Sequence, residues 1–241
     1  MPFLHLTLWN VEWAKPGTER GQLVEARLFA EAPDVVCVAE GYPAMLGHAG
    51  HTILADADHG YQTTDGRRKV MLWSRNPWVA VDCGSEGGFP PGRLVSGMTE
   101  TPLGLIRFIA VCIPWKSAHV TTGQKNRAPW QDHIHFLDAL TGWLKPSNVP
   151  TVLLGDFNQR IPRVAQPVEV YERLSSVLLL PLRVVTAGSV AGAELPLIDH
   201  IAVSGDLEPV EVRAFSALGE GGVKLSDHPG IRARFSVSNG A

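Results

Sequence analysis

Apolar residues in this chain gather into short, nearly unbroken runs, and that pattern predicts a strand-rich protein. The clearest runs are "FLHLTLW" at 3–9, "DVVCVAE" at 34–40, "LIRFIAVCI" at 105–113 and "TVLLG" at 151–155. Others fall at 69–74, 78–83, 182–186, 197–204 and 231–237. Continuous rather than alternating apolar positions suit strands covered on both faces. Helical spacing appears in three places. Residues 19–31 set Leu23, Ala26 and Ala30 on one face, and 125–144 repeats Trp130, Ile134, Leu137, Leu140 and Leu144. A third helical segment covers 167–179. Many short strands with few helices between them predict an α+β sandwich in which helices flank packed sheets. The glycine- and proline-rich loops at 83–92, 187–196 and 218–224 are too short to be interdomain linkers, and no repeat is visible. The chain therefore reads as a single domain over 1–241.

Composition narrows the class. With 241 residues, 45% of them hydrophobic, the chain has material for a sizeable core. No run approaches the ~20 apolar residues needed to cross a membrane. The opening "MPFLHLTLWN" lacks the basic, apolar and small-residue order of a secretory leader, so none is expected. Cys37, Cys83 and Cys112 are odd in number and lack ligand spacing, which predicts a reducing cytoplasm and argues against a disulfide frame or a zinc site. A monomer is the expected state. The net charge of −3, from 21 basic and 24 acidic residues, does not suit a protein that grips nucleic acid by bulk electrostatics. A weakly acidic enzyme can still act on phosphates when a bound cation supplies positive charge.

The candidate chemistry lies where the apolar runs stop. Asn10 and Glu12 follow the first run, and Glu40 closes the second. Asp156 and Asn158 follow "TVLLG", Asp199 lies in "LIDHIAVS", and Asp227 and His228 lie in "LSDHPGI". A buried carboxylate is costly unless it is paired, hydrogen-bonded or metal-bound. The five carboxylates of this set would repel one another if gathered, and a divalent cation relieves that. Oxygen-rich ligation favours Mg²⁺ or Mn²⁺ over zinc.

The stretches "LWNVEW" (8–13), "VVCVAEGY" (35–42), "LLGDFNQR" (153–160), "LIDHIAVS" (197–204) and "LSDHPGI" (225–231) together resemble the endonuclease/exonuclease/phosphatase superfamily. They occur in the family's order across nearly the whole chain. The resemblance implies a four-layer α/β sandwich, with two packed sheets of mainly antiparallel or mixed strands flanked by helices. It also implies a Mg²⁺- or Mn²⁺-dependent hydrolase acting on phosphate esters. Carried over residue by residue, Glu40 is the main metal ligand. Glu12 lies beside it where many members have aspartate, and Asp227 lies at the metal side. Asn10 holds a metal water or Asp156. Asp156 orients or deprotonates the attacking water, Asn158 hydrogen-bonds a phosphoryl oxygen, and Asp199 fixes the imidazole of His228.

One departure stands out. After "RFIAVCIPW" related enzymes carry a histidine or tyrosine that contacts phosphate, whereas this chain has Cys112, Ile113 and Pro114. Trp115, Lys116, His119 and Arg127 are the nearby substitutes, with Lys116 the natural phosphate partner. Trp13 and Trp115 are candidates for stacking on a base or sugar. Arg67, Arg68 and Lys69 read as a solvated hairpin that could touch a polyanion. His200, adjacent to Asp199, is expected to pack rather than react, and "HAGH" (48–51) with His59 reads as a surface loop. The motifs fix the reaction class and leave the substrate open. A phosphodiester in DNA or RNA comes first, then a small phosphate ester, then an inactive binding module on the same fold.

Overall fold

The computed structural model describes residues 2–62, 66–178 and 182–237. Twelve strands form two six-stranded sheets. The first sheet contains β1 (Leu4–Asn10), β2 (Val35–Gly41), β3 (His51–Leu54), β4 (Arg68–Ser74), β11 (Leu207–Phe215) and β12 (Gly230–Val237), in the order β11-β12-β1-β2-β4-β3. The second contains β5 (Trp78–Asp82), β6 (Leu94–Thr101), β7 (Gly104–Cys112), β8 (Thr151–Asp156), β9 (Arg183–Val184) and β10 (Asp199–Val203), in the order β5-β6-β7-β8-β10-β9. Each sheet is mixed. β1–β2 and β7–β8 are parallel and the remaining pairs antiparallel. Each parallel pair is joined by a crossover helix, α1 (Glu19–Phe29) in the first and α2 (Gln131–Trp143) in the second, and α3 (Val168–Leu178) follows β8. No helix among the described residues is long and apolar enough to cross a membrane.

Strand alternation sorts the apolar residues into three cores. Leu4, Leu6, Leu8, Leu72, Phe108, Leu154 and Phe235 meet between the sheets. Their neighbours point the other way: Trp9, Val36, Val38 and Met71 pack under Val24 and Leu28 of α1. On the far side, Ile109, Val111 and Leu153 pack under Phe136 and Leu137 of α2 and Leu174 of α3. The four-layer sandwich follows, and it explains why the central strands read as unbroken apolar runs. Each fully buried large side chain contributes about 1.5–3 kcal/mol relative to exposure.

Several details differ from the sequence reading. On α1 the buried face is Gly21, Val24 and Leu28, while Leu23, Ala26 and Ala30 are exposed. The helix is too short for small alanines to reveal which face is apolar. The segment 125–130 is not helical: Pro129 precedes Trp130, which takes a left-handed φ of 67° and ends the loop, so α2 begins at Gln131. The run 182–186 pairs only over Arg183–Val184. β3, β6 and β11 were not anticipated. β3 has no buried residue, β6 alternates with Ser, Gly and Thr, and β11 carries Pro209 at a bulge.

Candidate active site

Register brings the polar residues to one end of the sandwich. In the parallel pair β1–β2, Asn10 stands beside Ala39, which places Glu40 next to it. In the second sheet, Cys112 pairs with Asp156 and Asp156 with Asp199. The two sheets are joined there, since Asn10 Nδ2 donates to Asp156 Oδ2 at 3.1 Å. β12 runs antiparallel to β1, so the turn before it returns to the end of β1. Ser226 Oγ donates to the Asn10 carbonyl (2.6 Å), His228 N donates to Ser226 Oγ (3.1 Å), and Trp9 Nε1 donates to the His228 carbonyl (2.8 Å). His228 Nδ1 meets Asp199 Oδ2 at 2.5 Å.

The "GDFN" turn has a backbone reason for its composition. Gly155 adopts φ 140°, and a Cβ there would fall 1.9 Å from the Val111 carbonyl oxygen. Only glycine fits that approach. Asp156 Oδ1 then accepts from Asn158 N (2.9 Å), and Asn158, itself left-handed at φ 53°, donates Nδ2 to the Ile113 carbonyl (2.9 Å). Asp156 thus caps its own turn while its other oxygen faces Asn10.

Burial sets the protonation states. Burial and the neighbouring Asp199 push Asp156 up to about 7, against the pull of His228. Burial works against a charged His228, but the charge and hydrogen bond of Asp199 outweigh it and raise the imidazole to about 10. Asp156 is thereby held toward its protonated form and His228 toward its charged form. Behind them runs a buried neutral network. His133 bonds the Pro114 carbonyl through Nδ1 (2.7 Å) and Gln159 through Nε2 (2.8 Å). His200 bonds the Gln159 carbonyl through Nε2 (3.0 Å) and Thr186 through Nδ1 (2.9 Å). Burial pulls both imidazoles down to about 4, so each stays neutral.

These groups open onto a cleft of ≈ 450 Å³. Of the residues singled out in the sequence, Asn10, Glu40, Asp156, Asn158, Asp227, His228 and Trp115 line it, and Asp199 lies behind His228. Glu12 does not line it. Its oxygens bond Arg20 (3.1 Å) and Lys224 (2.8 Å) instead. Lys116 is exposed away from the cleft, and Arg127 pairs with Asp132 at 2.7 Å. Trp13 reaches the cleft, but Arg67 and Lys69 lie 4.7 and 5.0 Å from its ring. Lys69 also pairs with Glu40.

Two residues were missed. Arg93, just before β6, is only 3% exposed and makes no ion pair among the described residues. Its Nε has no hydrogen-bond partner, and its Nη1 donates long hydrogen bonds to the Cys112 carbonyl (3.5 Å) and Sγ (3.9 Å). A basic residue abutting an apolar run was the available signal, obscured because β6 itself was not recognised. His59, read as a surface-loop residue, is buried in the cleft wall, and burial with Lys69 and Arg93 nearby holds it down to about 4.

The donor set suits a hard divalent cation. Glu40, Asp156 and Asp227 bring carboxylates to the same cleft, Asp156 and Asp199 offer ligand atoms within 4.8 Å of each other, and the buried Asp199 Oδ1 has no hydrogen-bond partner, while His228, held charged by Asp199, offers no free nitrogen.

Known proteins share this architecture. An AP endonuclease from Archaeoglobus fulgidus superposes with a TM-score of 0.70 at 17% identity, covering 95% of this chain and 98% of that one. The 3' phosphatase NExo from Neisseria, bound to a product DNA hairpin, matches with a TM-score of 0.69 at 22% identity over 97% and 99%. An endonuclease/exonuclease/phosphatase from Beutenbergia cavernae matches with a TM-score of 0.70 at 20% identity, over 99% of this chain and 72% of that one. No curated protein matches the chain. The family model of the Endonuclease/Exonuclease/phosphatase family matches residues 7–228, and with that span of sequence the chain belongs to this family.

Proposed function

We propose that this protein is a divalent-cation-dependent phosphodiesterase acting on nucleic acid. The observation that carries the reading is the meeting of Asp156, held by Asn10 from the opposite sheet, with the hydrogen-bonded His228–Asp199 pair in one cleft. A carboxyl group near the working pH is suited to accept a proton from an attacking water. A lasting imidazolium is suited to donate to the phosphoryl oxygens as charge develops on them. Asn10 orients Asp156 from the opposite sheet. Asn158 borders the same turn and serves the phosphoryl group. Arg93 takes the place left open by Cys112, Ile113 and Pro114, because a buried guanidinium without a carboxylate calls for an anion. Glu40, Asp156 and Asp227 are the residues proposed to hold Mg²⁺ or Mn²⁺, with Glu12 reaching it only after releasing Arg20 and Lys224. Bound there, the cation supplies charge neutralisation and activation of water.

The DNA-processing activities named for the two neighbours, an AP endonuclease and a 3' phosphatase, support a polynucleotide substrate. Trp115, 41% exposed at the cleft, offers a ring for a base. Lys116 and Arg127 lie outside the cleft and serve a substrate only if it extends past the rim. A second reading, hydrolysis of a small phosphate ester, draws on the net charge of −3 and the ≈ 450 Å³ size of the cleft. The deciding experiment offers plasmid, abasic-site duplex, single-stranded DNA and RNA, bis-p-nitrophenyl phosphate and p-nitrophenyl phosphate, each with Mg²⁺, Mn²⁺ or EDTA. Metal-dependent cutting of polynucleotide, lost in His228→Ala, is the expected result. Turnover of the small esters alone selects the second reading, and no turnover of any of them overturns both.

A further inference from the structure

Glu40 leaves the regular ladder of β2 with a left-handed φ of 50° and lines the cleft. β4 runs antiparallel beside it, with Ala39 opposite Val70 and Gly41 opposite Arg68, so the register puts Lys69 across from Glu40. The two side chains form an ion pair, 13% and 22% exposed, which shelters it from screening by solvent. Lys69 is further held by the Trp13 ring, 5.0 Å from its Nζ. That ring is fixed in turn by Arg67, whose guanidinium lies 4.7 Å from it and whose Nε donates to the Tyr42 hydroxyl at 3.1 Å. The ammonium is thus built into the cleft wall rather than free to wander.

The charge inventory gives this pair a consequence. The cleft carries Arg67, Lys69 and Arg93 facing Glu40, Asp156 and Asp227, three basic side chains against three acidic ones, with the His228–Asp199 pair beside them. Positive charge from the protein already balances the acids. A divalent cation arriving at Glu40 meets an ammonium on the same carboxylate, and like charges that close disfavour each other.

We propose that Lys69 is a built-in counter-cation that competes with the divalent metal for Glu40, and that metal binding frees its ammonium for the phosphoryl group. The second half rests on the phosphoesterase reading, while the competition does not. Because coupling between two ligands is reciprocal, a freed ammonium makes metal and phosphate strengthen each other's binding.

The test is an Mn²⁺ titration of the full chain, followed by electron paramagnetic resonance without substrate, with and without inorganic phosphate. Lys69→Met should bind Mn²⁺ about tenfold more tightly, which corresponds to one pKa unit of charge interaction. It should also show a smaller mutual gain between Mn²⁺ and phosphate than the wild type. Lys69→Arg keeps the charge and should stay near wild type in both respects, a rescue that a packing role would not require. Equal or weaker Mn²⁺ affinity in Lys69→Met overturns the proposal. If that variant fails to fold, Lys69→Gln repeats the comparison. The wild type also decides alone: phosphate that leaves Mn²⁺ affinity unchanged or weakens it overturns the proposal too. Competition intact without ester hydrolysis would remove the phosphoesterase reading and with it the second half alone, and hydrolysis without competition would remove the role of Lys69 only.

Discussion

The two walls of the cleft are built on different principles. The wall from the second sheet, with Asp156, Asn158 and Asp199, is largely buried and held by hydrogen bonds, with Asp199 Oδ1 the one carboxylate oxygen there left without a partner. Its supporting histidines, His133 and His200, are neutral and each holds a single tautomer. The wall from the first sheet, with Glu40, is more open and held by its ion pair to Lys69, while Glu12, just outside the cleft, pairs with Arg20 and Lys224. A buried hydrogen-bond network rewards one geometry and penalises all others. Ion pairs can exchange partners, at little cost where they are exposed, as for Glu12, and at a measurable one where they are sheltered, as for Glu40 and Lys69. Chemistry that needs placement to a fraction of an ångström belongs on the first kind of wall, and a cation that must come and go belongs on the second.

That contrast can be broken by substitution, and the effects should diminish from the buried wall to the open one. Asp156→Asn keeps the turn-capping acceptor but cannot take a proton, so hydrolysis of bis-p-nitrophenyl phosphate should fall by ~10³-fold. A near-normal rate would place the proton acceptor elsewhere. Asp199→Asn should cost about 10–100-fold, as loss of an orienting partner usually does. Its signature is a change in the His228 titration, followed by NMR. With Asp199 present the folded imidazole stays charged up to about 10, above its ordinary 6.5. The stability it contributes is therefore complete below about 6.5 and lost as pH rises through about 10. Without Asp199 the titration should fall back toward the ordinary range and that pH-dependent stability should vanish.

Gln159→Leu removes the donor to His133 and leaves a buried imidazole nitrogen unsatisfied, so unfolding free energy should drop by about 1–3 kcal/mol. Denaturant melts report the loss. Because Gln159 and Asn158 are neighbours, the ester rate should fall with it. Unchanged stability would mean that the network is slack. At the other extreme, Glu12→Gln breaks two ion pairs whose side chains are about a third exposed or more, and stability should shift by less than about 1 kcal/mol. A large loss of Mn²⁺ affinity in that variant would show Glu12 reaching the metal and would erase part of the difference between the walls.

The central strands were legible because their runs are apolar on both faces, which only a covered strand requires. β1, β2, β7, β8 and β10 all fall within the predicted runs apart from a residue or so at their ends. The edge elements were not. β3 and β11 gain little from burial, so their sequences carry little pattern, and α1 is too short for its small alanines to tell the face of Leu23, Ala26 and Ala30 from the buried one of Val24 and Leu28. In the site, residues at strand ends could be collected from the sequence, since a polar residue closing an apolar run stands out. Arg93 and His59 could not, because neither lies in a motif and both matter only through what surrounds them.

Sequence alone thus determined which segments must be covered and which polar side chains sit at their ends, because hydrophobic periodicity and local backbone chemistry are written residue by residue. Tertiary structure decided the rest. It set Asp199 opposite Asp156, carried Asn10 across from one sheet to the other, and brought Lys69 onto Glu40 while turning Glu12 toward Arg20 and Lys224. Protonation followed from those meetings, because the free energy of a charge depends on the partners and the solvent that folding leaves beside it.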